Sequence, residues 1–80
     1  MDILELLFET MEEVLELPAE EMREDPEIDL IENGLIDSLS SVMLLTEMEK
    51  KVGYRLDIKK MGPADFTTPV TLAQAIERQK

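Results

Sequence analysis

Gly34-Leu35-Ile36-Asp37-Ser38-Leu39-Ser40-Ser41-Val42 is a stretch in which a loop becomes a helix at one serine. Gly34 permits a sharp backbone turn, and Asp37 is the natural N-cap for the apolar-periodic segment that begins at Leu39. Ser38 is then the first helical residue, its hydroxyl exposed beside free N–H groups and the positive end of the helix dipole. A phosphate ester carried there would sit in a favourable field. Ser38 is the candidate functional residue, with Asp37 as its helix cap.

Working outward, this helix is expected from about Asp37 to Val52, with Gly53 as a left-handed C-terminal cap and Lys50 and Lys51 complementing the dipole. Upstream, Ile3, Leu4, Leu7, Phe8, Met11, Val14 and Leu15 recur at helical steps. Asp2 can cap that first helix and Pro18 ends it. Residues 18–37 lack sustained periodicity. A connection of roughly twenty residues is unusual in a compact domain unless it is functional or held down by its own side chains. Met22, Ile28, Leu30, Ile31 and Leu35 are spaced as anchors, so an ordered long loop is expected.

Downstream, Tyr54–Ile58 alternates like a strand but has no sheet to join, so it reads as a loop packing Leu56 and Ile58 inward. Pro63–Phe66 suits one short helical turn. Thr68 and Pro69 form an N-cap with proline at the first helical position, and Thr71-x-x-Gln74 offers a second capping box. Val70, Leu72, Ala73 and Ile76 give the last helix its buried side. The expectation is an all-α fold over residues 1–80 as a single domain: three main helices, one short helix and a long loop between the first two.

The 80 residues contain no cysteine and no histidine. Disulfides, thiolate metal sites and the usual nucleophile–base pairs are therefore excluded, and a reducing compartment, the cytoplasm, is expected. The N-terminal stretch MDILELLFETMEEV is interrupted by acids and lacks a basic leader, so it reads as neither a signal peptide nor a membrane span. The net charge of −11 argues against nucleic acid as a partner. It is unevenly placed: residues 1–33 carry 13 acids and one base, whereas residues 34–80 carry 6 acids and 7 bases. The acidic half suits either a basic partner surface or an ordinary solvated face.

Acids crowding residues 24–37 invite an EF-hand reading, but Leu30 stands where the loop requires glycine and the closing Glu is missing, so no metal site is expected. Paired acids such as Glu12/Glu13 and Glu20/Glu21 have no partner base or pocket and receive no catalytic role. The second main helix carries more apolar surface than one core can take. Val42 through Leu45 sweep roughly 300° of its circumference. Leu44, Leu45, Met48 and Val52 suit the core. Leu39, Val42, Met43 and Thr46, with Glu47 beside them, form a second stripe near Ser38, open to partners unless the long loop covers it; Met suits a surface that accepts several of them.

Gly-Leu-Ile-Asp-Ser-Leu, set after a long loop in an acidic helical chain, resembles the attachment site of phosphopantetheine-dependent acyl and peptidyl carrier proteins, and the resemblance covers nearly the whole chain. It implies a four-helix bundle that is a monomer and not itself an enzyme. A phosphopantetheinyl transferase would move 4'-phosphopantetheine from coenzyme A onto Ser38, with Asp37 contributing to recognition. The arm's thiol would then carry an acyl or aminoacyl group as a thioester. Partners implied are that transferase, an adenylating ligase or acyltransferase that loads the thiol, and a downstream acceptor enzyme. The longer Gly-Leu-Ile-Asp-Ser form, the tail Ala64-Asp65-Phe66-Thr67-Thr68-Pro69, and Ser40, Ser41 and Met43 where fatty-acid carriers are acidic all look like the D-alanyl carrier type. Some stand-alone peptidyl carriers share these features. The competing reading is an acidic helical interaction module that is never modified.

Overall fold

The computed structural model describes residues 2–80. Helix α1 (Ile3–Leu15) is capped by Asp2, whose carboxylate accepts the Glu5 N–H at 3.2 Å. It ends before Pro18: Glu16 takes a left-handed conformation (φ 56°), and the Glu16 and Leu17 N–H groups close onto the Glu12 and Met11 carbonyls. This is a left-handed (αL) helix end built on a residue other than glycine.

Within the segment expected to be loop, Ala19–Glu24 forms a short helix, α2. Ala19 and Met22 are buried. Arg23 pairs with Glu5 of α1 and lies 5.9 Å from the centroid of the Phe8 ring. Six residues with two inward positions are too few to show periodicity, which explains why the sequence reads as loop there. The rest of the connection is an ordered loop, as expected. Asp29 accepts the Glu32 N–H on its carboxylate (2.8 Å), and its carbonyl takes the Asn33 side chain (2.8 Å). Gly34 turns at φ 68°. The Leu35 and Ile36 N–H groups then return to the Leu30 carbonyl. Two bonds fasten this loop to the start of the last helix, Leu30 N–H to Thr67 O at 2.7 Å and Val70 N–H to Pro26 O at 3.3 Å.

Helix α3 (Ser38–Val52) ends on Gly53 at φ 79°. Two 3-10 turns follow, Ile58–Lys60 and Pro63–Phe66. Helix α4 (Pro69–Arg78) opens with a reciprocal cap between Thr68 and Thr71, rather than the later Thr71/Gln74 pair. Among the described residues the fold is thus all-helical, with four α-helices. The short one is α2, and Pro63–Phe66 is a 3-10 turn.

Helix α1 packs against both α3 and α4. Leu7, Phe8 and Met11 meet Leu44, Leu45, Met48 and Val52 of α3 and Leu72 and Ile76 of α4, with Met22, Leu30, Ile36 and Leu56 closing the core. Ala75 joins the buried side of α4, where Val70 is only half-buried. Two expected anchors face out instead. Ile31 is 49% exposed and Ile58 is 40% exposed. Among the described residues no helix is long and apolar enough to cross a membrane.

Candidate functional site around Ser38

Asp37 is extended (φ −133°, ψ −171°), and its carboxylate accepts the Ser40 N–H at 2.8 Å. Hydrogen bonding from Ser40 holds the Asp37 carboxyl below the usual carboxylate range. The Asp37 carbonyl accepts both the Ser41 N–H (2.9 Å) and the Ser41 hydroxyl (2.7 Å). Ser41 is buried and Ser40 half-buried. Ser38, the first residue of α3, is exposed, and among the described residues its hydroxyl has no hydrogen-bond partner. Of the three serines at this helix start, Ser38 is the most exposed, and it presents its hydroxyl to solvent beside the positive helix end.

The long loop leaves the second stripe of α3 uncovered. Leu39 is 70%, Val42 48% and Met43 42% exposed. Thr46 is exposed too, its hydroxyl bonded to the Val42 carbonyl. Glu47 is half-buried and pairs with Lys50 at 3.2 Å, so its charge is partly offset.

Ser38 also borders a cleft of about 510 Å³ that the sequence did not reveal. Ile31 and Ile36 of the loop form one side, and Asp37, Ser38 and Ser41 form the helix start. The 3-10 turns supply the other side through Ile58, Met61, Pro63 and Phe66. The large apolar side chains exposed among the described residues are Ile31, Leu39, Val42, Met43 and Ile58. Three lie on the first turns of α3 and two line this cleft. Ile31 and Ile58 are thus misplaced by the sequence for one reason: an apolar residue in a loop looks the same whether it anchors the loop or borders a site. A groove of about 560 Å³ between α1 and α4, lined by Ile3, Leu4, Val70 and Ala73, contains no hydroxyl or thiol nucleophile.

The profile of the family described as "Phosphopantetheine attachment site" matches residues 5–76. The chain is also 32% identical over 62 residues to the D-alanyl carrier protein of Lactococcus lactis subsp. lactis (strain IL1403), covering 78% of each chain.

Proposed function

The chain belongs to the phosphopantetheine attachment-site family, and on that footing we propose that Ser38 carries the 4'-phosphopantetheine arm and that the cargo is D-alanine. The observation that carries the attachment is the exposed, unpartnered Ser38 hydroxyl beside buried, hydrogen-bonded Ser41. The residues present fit the group. A phosphate ester at Ser38 sits at the positive end of α3, and the adjoining cleft offers apolar walls to a partly apolar arm. Once attached, the arm supplies a thiol that holds an acyl or aminoacyl group as a thioester.

The chain's own residues present and recognise. Asp37 keeps the helix start ordered, so the Ser38 hydroxyl is offered in one position, and its carboxylate contributes to recognition by a phosphopantetheinyl transferase. Leu39, Val42, Met43 and Thr46, with Glu47 at the edge, form the face that meets the transferase, an adenylating ligase and an acceptor enzyme. On this reading residues 1–80 are one carrier domain that works as a monomer in the cytoplasm and catalyses nothing itself. The alternative, an interaction module that is never modified, leaves the family match unexplained.

Cargo is tested on protein converted with coenzyme A and a transferase, then supplied with ATP, a D-alanine-activating ligase and labelled D-alanine. Hydroxylamine-labile label is expected on the wild type and absent from Ser38→Ala. Loading by a fatty-acyl ligase in preference to the D-alanine ligase would overturn the cargo assignment.

A further inference from the structure

The Ile58–Lys60 turn forms one side of the cleft beside Ser38, yet none of the four helices packs extensively against it. Ile58, Lys59 and Lys60 are all exposed. Its fixed point is Asp57. The Asp57 carboxylate caps the turn by accepting the Lys59 N–H at 2.9 Å. Both backbone polar groups of Asp57 are engaged by a single side chain just after α4, while the carbonyl also accepts the Lys60 N–H within the turn at 3.0 Å. The Asp57 N–H donates to Gln79 Oε1 at 2.6 Å, and Gln79 Nε2 donates to the Asp57 carbonyl at 3.2 Å. A carboxamide gripping one residue in this way imitates a neighbouring strand. It fixes the direction in which the chain leaves Asp57, and therefore where Ile58 and Met61 lie.

We propose that Gln79 is a positioning residue for the Ser38 site: its grip on Asp57 holds Ile58 and Met61 as the cleft wall and so sets how well a partner enzyme engages the carrier. The inference rests on the reading of Ser38 as the attachment serine. Gln79 touches neither Ser38 nor the cleft and acts only through Asp57. The nearby Ile76 carbonyl accepts the Tyr54 hydroxyl (2.9 Å) and the Gln79 backbone N–H (3.2 Å), but not the Gln79 carboxamide. The core, from Leu44 to Ile76, is likewise independent of it. Removing the carboxamide therefore detaches Asp57 from the end of α4, leaving the turn held only by its own Lys59, Lys60 and Met61 bonds and the bundle folded.

The test compares wild type, Gln79→Ala, Gln79→Glu and Gln74→Ala. Gln74 is exposed on α4, lines the α1/α4 groove and serves as control. Amide exchange is read across residues 57–61, and KM and kcat are read for transferase modification with coenzyme A. In Gln79→Ala, exchange at Asp57 is expected to quicken roughly tenfold, the scale of one or two lost hydrogen bonds. The KM for the carrier should rise about threefold or more with kcat unchanged, the mark of weaker engagement rather than altered chemistry. Gln79→Glu keeps an acceptor for the Asp57 N–H and should fall between. Gln74→Ala should change neither quantity. Unchanged exchange in Gln79→Ala, or faster exchange with unchanged KM, would overturn the proposal while leaving the Ser38 assignment intact. A wild type that is not modified at Ser38 would overturn both.

Discussion

Ser38 and Ser41 stand one turn apart on α3, and only Ser41 uses its hydroxyl within the protein, donating to the Asp37 carbonyl at 2.7 Å. On the proposed reading, the two serines separate structure from function at one helix start. Ser41→Ala removes one hydrogen bond, but the Asp37 carbonyl keeps its bond from the Ser41 N–H at 2.9 Å. The variant should lose about 1 kcal/mol or less in denaturant unfolding and should still be modified. Loss of modification in folded Ser41→Ala would contradict the division.

Met43 and Leu44 test the two faces of α3. Met43 is 42% exposed, whereas Leu44 is fully buried. Met43→Glu should change stability by about 1 kcal/mol or less, as at surface sites, and slow loading by the cognate ligase. Leu44→Ala should cost roughly 2–5 kcal/mol through transfer and cavity effects. Equal destabilisation by the two substitutions would place Met43 in the core.

Acid should loosen the start of α3. Hydrogen bonding from Ser40 lowers the Asp37 pKa from its ordinary 3.8. A carboxyl depressed on folding stabilises the fold while ionised. Its contribution is complete above the ordinary value and is lost as pH falls through the lower folded value. The Ser40 amide resonance should therefore titrate with a midpoint below 3.8, and the transition should vanish in Asp37→Asn, which retains a capping oxygen. Asp65 is depressed the same way by the Gly62 N–H and by Arg78, so a residue-specific probe is needed. A midpoint above 3.8 would contradict the cap's ionic character.

Charge near Ser38 should matter more than charge on α1. Glu9 and Glu12 are exposed on α1, and Glu5 is committed to Arg23. Charges beyond a Debye length of about 8–10 Å are largely screened at physiological salt. Raising salt should slow transferase modification chiefly through association. Asp37→Asn, with helicity confirmed by circular dichroism, should slow it far more than Glu9→Gln and Glu12→Gln combined. Equal losses would place α1 in the docking surface.

The parts of this fold that were legible in the sequence are those with long-range pattern or specific backbone chemistry. Asp2, Asp37, Gly53 and Thr68 cap where their residue types indicate. The core face of α3 follows from spacing alone. Helix α2 escaped because two buried residues make no period. Ile31 and Ile58 escaped because their exposure depends on a cleft formed between segments far apart in the chain. The same holds for Gln79, whose bonds to Asp57 span 22 residues. The helix start at Ser38 was legible because its setting is local: a turn, a cap and a first helical residue within five positions.

The most direct measurement is the intact and fragment mass of the protein after incubation with coenzyme A and a broad-specificity phosphopantetheinyl transferase. The free Ser38 hydroxyl predicts one phosphopantetheine group per chain, located on the peptide at Ser38 and absent from a folded Ser38→Ala variant. An adduct on Ser40 or Ser41, or none on the wild type, would contradict the account.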